Sequence, residues 1–147
     1  MPCGPGRVSA VTEAHSSAWN WLGIRLVDEG EGMVVVEMTP TADMANDSGL
    51  VQGGLISALA DSAMGRSLGT VQPGMTRAVS FDLKMSFIAP ARIGENLRAV
   101  GRVVHAGRRT AVTECRIEGD FKRLVATASA TFAVTRGKEM GADADDD

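Results

Sequence analysis

A polar, glycine-rich loop runs straight into an apolar helix that carries one carboxylate. The loop reads Asn46-Asp47-Ser48-Gly49-Leu50-Val51-Gln52-Gly53-Gly54, and Leu55-Ile56-Ser57-Ala58-Leu59-Ala60-Asp61-Ser62-Ala63-Met64-Gly65 follows it. A helix this apolar has to be covered by the rest of the chain. Its first N–H groups have no partner inside the helix and favour negative charge. A carboxylate among small apolar residues is poorly solvated. Together they offer an oxyanion-binding amide and a base or nucleophile, the two parts needed to attack a carbonyl.

A lone Asp in a helix is most often a solvated surface residue, but two details count against that here. Ser57, Ala58, Met64 and Gly65 lie three and four residues from Asp61, and none is a cation that could pair with it. Gly54, Ala58, Asp61 and Gly65 share one helix face, a stripe of small residues with room for a ligand or another chain. Gly53 and Asp61 are separated by about 12 Å along a helix rising ~1.5 Å per residue. A nucleophile and an oxyanion donor must both lie within ~3 Å of one carbonyl group. If both act, the natural arrangement is a two-fold dimer in which Asp61 of one subunit faces Gly53 of the other.

With 147 residues, the chain is long enough for one domain with a real core. No apolar run approaches the ~20 residues that span a membrane. Met1 to Arg7 lack the apolar stretch of a signal peptide, so a cytoplasmic protein is expected, without a membrane role. Cys3 and Cys115 are too few for a disulfide framework, and with only His15 and His105 no metal site is expected. The net charge of −3 argues against nucleic acid as a partner.

Along the chain, residues near 8–19 are expected to form a short helix leading to Trp19 and Trp21. Residues 24–28 and 33–38 read as strands joined at Glu29-Gly30-Glu31-Gly32, and the main helix is predicted from Gly54 to Leu68 with Gly69 as C-cap. In 78–88, Val79, Phe81, Leu83, Met85 and Phe87 alternate with polar residues and predict one buried face. Residues 95–105 and 110–118 form a predicted hairpin, and 123–134 a last strand. The order β-β-α-β-β-β-β gives an α+β class: one long central helix wrapped by a curled, mostly antiparallel sheet. Three segments are expected: 1–18, partly helical or flexible; one domain over 19–136; and an acidic, disordered tail over 137–147.

That order, with that loop and helix, resembles the hotdog fold. More closely, residues 19–134 are similar to acyl-CoA thioesterases of the PaaI-like and 4-hydroxybenzoyl-CoA thioesterase group. Trp21-Leu22-Gly23-Ile24 resembles the family's aromatic-Leu-Gly start. Asn46-x-x-Gly49-x-x-Gln52-Gly53-Gly54 followed by Leu59-Ala60-Asp61 matches its active-site motif, and Ala89 to Glu95 resembles its Pro-x-x-x-Gly turn. The resemblance implies an acyl-CoA thioesterase, acting on an aromatic or medium-chain acyl-CoA as a homodimer or a homotetramer built as a dimer of dimers, with no cofactor. It gives Asp61 the role of general base or nucleophile and Gly53 that of carbonyl-polarising N–H. Asn46 becomes a positioning group, Ser80 a site hydroxyl, and Gly54 a neighbour of the substrate at the helix start. It also implies that turn residues such as Arg92, Arg108, Arg109, Lys122 and Arg123 hold the phosphates of coenzyme A. Gln52 stands where the family has His; Gln can donate and accept hydrogen bonds but does not titrate near neutral pH. Two rivals remain: a non-catalytic acyl-CoA-binding module, and a hydratase or dehydratase, which the motif's lack of histidine disfavours.

Overall fold

The computed structural model describes residues 16–137. The elements are α1 (Ser17–Leu22), β1 (Arg25–Gly30), β2 (Met33–Met38), α2 (Gly53–Gly69), β3 (Met75–Phe87), β4 (Leu97–Ala106), β5 (Thr110–Glu118) and β6 (Leu124–Arg136). Short 3-10 turns at Ala42–Met44 and Asp120–Lys122 sit in the connections. The strands form one antiparallel sheet in the order β1-β2-β4-β5-β6-β3, with β1 and β3 at its edges.

Ile56, Leu59, Ala60, Ala63, Met64, Ser67 and Leu68 recur at helical spacing and bury one face of α2. That face touches β2, β3, β4, β5 and β6, so the sheet has to curl around the helix. This is the α+β hotdog arrangement that the resemblance implies. The closest approach is at Gly101 on β4. A Cβ there would lie 2.5 Å from the Ala63 carbonyl carbon and 2.8 Å from the Met64 nitrogen. Backbone on both sides cannot rotate away. Gly101→Ala should therefore cost about 1–3 kcal/mol or more, read as a fall in Tm of at least ~2 °C.

The structure corrects several expectations. The first helix begins at Ser17, capped by the Ser16 hydroxyl accepting from the Trp19 N–H, and it contains both tryptophans. Trp19 packs against the core while Trp21 is exposed. The predicted positions 8–15 and 138–147, with the acidic tail, Cys3 and His15, lie outside the described residues. The main helix includes Gly53 and Gly69, and its C-cap is Thr70 in a right-handed conformation. No left-handed glycine is needed there. The Thr70 hydroxyl donates to the Ser67 carbonyl at 2.7 Å and accepts the Gly32 N–H at 2.8 Å, tying the helix end to the β1–β2 turn.

The largest correction concerns β3. Ser80 pairs with Phe132 and Asp82 with Thr131, so Phe81 is an extra residue in a β-bulge. Ala78 packs on the core before the bulge and Met85 after it, so the inward parity switches. Val79 and Phe81, predicted to be buried, are 52% and 64% exposed, and beyond the bulge Leu83 and Phe87 are exposed too, because β3 is an edge strand. A similar shift between Val103 and His105 leaves His105 exposed. Cys115 is buried as expected, and burial pushes its thiol pKa up to about 12, so it is inert as a nucleophile.

Candidate active site

The α2 N-terminus forms one half of the site. Gln52 donates its N–H to the Met44 carbonyl at 2.9 Å, and Val51 donates to the Ala91 carbonyl at 3.1 Å, fixing the loop just before the helix. Among the described residues, the Gly53 and Gly54 N–H groups have no acceptor. They face the end of the helix where partial positive charge gathers. Gly53 lines a cleft of about 360 Å³ together with Asn46, Ile56, Phe87, Ile88 and Pro90. A Cβ on Gly53 would meet the Phe87 ring at 3.2 Å, so a side chain there would press into the cleft wall.

Asn46 shares that cleft. Its Oδ1 accepts the N–H groups of Ser48 at 2.9 Å and Leu50 at 3.2 Å, which braces the loop from inside. Gln52 is exposed, and its side chain does not cap the helix.

The turn that walls this cleft is held by an ion pair between buried Glu95 and half-buried Arg123. Glu95 accepts both oxygens' contacts from the Arg123 guanidinium, at 2.6 and 3.0 Å, and the Arg92 N–H at 2.9 Å. Arg123 also donates to the Pro90 carbonyl at 2.9 Å. Arg123 is therefore engaged inside the protein. Burial pushes the Glu95 carboxyl up, but the Arg92 and Arg123 hydrogen bonds and the Arg123 charge outweigh it, and the pKa lies below the ordinary value. A depressed folded pKa gives stability that is complete above the unfolded pKa of ~4.3 and is lost as pH falls through the folded value. Glu95→Gln should thus cost about 1.5–3 kcal/mol near pH 7, and the gap between the melting curves should narrow below about pH 4.

Asp61 forms the other half. It lies on α2 in an open cleft of about 590 Å³ lined also by Trp19, Gly65, Arg66, Ser80 and Phe132. Its Oδ1 is buried and, among the described residues, has no hydrogen-bond partner. A buried acceptor left unpaired costs roughly 1–3 kcal/mol, so it calls for a reason other than stability. Ser80 on β3 shares this cleft, and the small-residue stripe is represented in it by Asp61 and Gly65.

The two halves lie in different clefts of one chain. Asp61 and Ser80 do not line the Gly53 cleft, and Gly53 and Asn46 do not line the Asp61 cleft. Both clefts border β3: Ala78, Val79 and Ser80 line the first, Phe87 the second. The predicted substrate arginines are also split. Arg92 follows Ala91 of the Gly53 cleft, whereas Arg108 and Arg109 sit beyond the other end of β4. The 10 residues of β4 put these ends about 30 Å apart at ~3.3 Å per residue. All three arginines are exposed. Sequence reasoning missed Arg66, Trp19, Phe87 and Phe132. Arg66 lies five residues after Asp61, outside the three- and four-residue spacing of helix neighbours, and its partner Glu29 is 37 positions away. Among the described residues, no group of His, Cys, Asp and Glu could hold a metal, and no helix is long and apolar enough to cross a membrane.

Comparison with known proteins gives a consistent answer. Residues 48–126 match the family model described as the thioesterase superfamily. The acyl-coenzyme A thioesterase PaaI of Escherichia coli K12 is 33% identical over 105 residues, 71% of this chain and 73% of the relative. The solved structure of E. coli PaaI, from the phenylacetic acid degradation operon, superposes with a TM-score of 0.77 at 29% identity, covering 82% of this chain and 85% of that one. The smu.793 protein of Streptococcus mutans UA159, solved bound to acetyl CoA, gives 0.72 at 28% identity, covering 77% and 89%.

Proposed function

The chain belongs to the thioesterase superfamily, and from that premise we propose that it hydrolyses the thioester of an aromatic or medium-chain acyl-CoA to the free acid and coenzyme A. The observation that carries this reading is the buried, unpartnered Asp61 Oδ1 at an open cleft. The thioester oxygen docks on the Gly53 N–H. Asp61 removes a proton from water as it attacks the carbonyl carbon, or attacks directly to form an anhydride that water then opens. The tetrahedral oxyanion collapses, the C–S bond breaks, and the thiolate of coenzyme A departs. Asn46 holds the loop that presents Gly53, with Gly54 and Gln52 beside it, and Ser80 supplies a hydroxyl near Asp61.

The site is completed by a second copy of the chain. β3 is an edge strand with exposed apolar residues, an edge that natural proteins seldom leave bare. Antiparallel self-pairing about a two-fold axis near Leu83 sets residues 78–80 of one protomer opposite 86–88 of the other. The Asp61 cleft of one subunit then meets the Gly53 cleft of its mate. The axis also reverses strand direction, so Arg108 and Arg109 of one subunit lie at the same end as Arg92 of the partner subunit. These arginines are suited to the nucleotide phosphates of coenzyme A. A homodimer is the minimal unit, a homotetramer its pairing, and the cytoplasm its compartment.

Free thiol release from a panel of acyl-CoAs is the test. Tight binding without thiol release from any of them would replace this reading with a non-catalytic binding module. If the arginines serve the nucleotide, replacing them raises KM for an acyl-CoA and leaves kcat unchanged. The same acyl group on a short thiol should be barely affected. An equal loss on both substrates would assign the arginines to fold or assembly.

A further inference from the structure

The Asp61 cleft shares part of its wall with a neighbouring cleft. Gly65 and Arg66 line it, and the same two residues line a second cleft of about 580 Å³ bounded by Glu29, Glu31, Gly69, Thr70 and Met75. Gly65 has no side chain, so the Arg66 side chain is the one side chain common to both spaces. It is tethered from β1: Arg66 Nε donates to Glu29 Oε2 at 2.9 Å and Nη2 donates to Oε1 at 3.3 Å. The fork therefore reaches from α2, where Arg66 lines both clefts, to Glu29 at the end of β1, which lines the second.

Resting on the thioesterase reading, we infer that the acyl chain enters the Asp61 cleft and that the Arg66–Glu29 pair closes its far end and sets the acyl length that the protein accepts. Arg66 lies five residues beyond Asp61, or about 7.5 Å along the helix axis at ~1.5 Å per residue. An extended chain of about six carbons spans that distance with C–C bonds of ~1.5 Å. A longer chain has to drive an apolar methylene against a charged, half-exposed ion pair, which opposes it by desolvation. Behind the pair, Gly69 and the partly buried Met75 offer room that the longer chain would fill once the pair is gone. Because both partners remain substantially exposed, the pair adds little to stability, and its removal leaves a folded protein to assay.

The test is kcat/KM across saturated acyl-CoAs from hexanoyl to hexadecanoyl for the parent, Arg66→Ala and Glu29→Ala. The parent should fall off beyond about six carbons, and Arg66→Ala should raise the dodecanoyl-to-hexanoyl ratio at least ~10-fold, the scale on which an apolar pocket discriminates methylenes. Glu29→Ala, which frees the guanidinium to swing aside, should shift the ratio the same way by less. An unchanged length profile in Arg66→Ala, with hexanoyl-CoA still hydrolysed, overturns the inference and leaves the thioesterase reading standing. Absence of thiol release by the parent from every chain length overturns both.

Discussion

Asp61→Ala should stay folded, melt no lower than the parent, and lose at least ~100-fold in turnover. The two halves of that expectation come from one observation, the buried Oδ1 without a hydrogen-bond partner among the described residues. A structural carboxylate that loses its hydrogen bonds destabilises the fold, as expected for Glu95, which accepts contacts from Arg92 and Arg123. Asp61 has no such bonds to lose at Oδ1. Removing it relieves a desolvated acceptor, so stability is kept or rises while activity falls. Asp61→Asn separates the charge from the shape, and should be nearly as inactive because an amide neither takes the proton from water nor attacks the carbonyl. Matched melting curves and kcat values for the two variants check both halves. Parent-rate hydrolysis by Asp61→Ala would remove the residue from the chemistry, and a large fall in Tm would make it a structural group.

The loop, the main helix and the six strands were legible because each rests on local signals. Helical spacing marks α2, period-two alternation marks β5 and β6, and turn residues mark their joins. What was hidden depends on contacts between distant positions. The bulge at Phe81 exists because β3 pairs with β6 in a shifted register, and nothing within residues 78–88 announces it. Alternation therefore identified a strand but assigned Val79, Phe81, Leu83 and Phe87 to the wrong environment. The candidate site shows the same division. Asp61 and Gly53 stand out because a carboxylate without a cation and a double glycine are unusual where they fall. Arg66 became relevant only when Glu29, from another element, held it across the cleft. Arg123 was visible as a basic turn residue, but its ion pair with buried Glu95 was not. Motif spacing reveals what one segment can do, and partners from elsewhere decide whether it is free to do it.

Mixing two inactive variants should restore activity. Gly53→Val fills the space in front of the Phe87 ring and blocks the oxyanion cleft, while Asp61→Ala removes the base. In the shared-site dimer, each site takes Asp61 from one subunit and Gly53 from the other. A heterodimer of the two variants then concentrates both defects in one site and leaves the second with both parental residues. Each heterodimer keeps one of its two sites. Random exchange makes about half of all dimers mixed, so about a quarter of the parental sites return. If a single chain held both groups, every site in the mixture would carry one defect and the activity would stay at the level of the separate variants. The geometry favours the first outcome on two independent grounds. Gly53 and Asp61 stand eight positions apart on α2, about 12 Å at ~1.5 Å per residue, too far for one carbonyl to reach both. The clefts that hold them border opposite ends of the same edge strand. Mass measurement of the exchanged dimers establishes that mixing has occurred, and thiol release measured on that same sample decides between the arrangements.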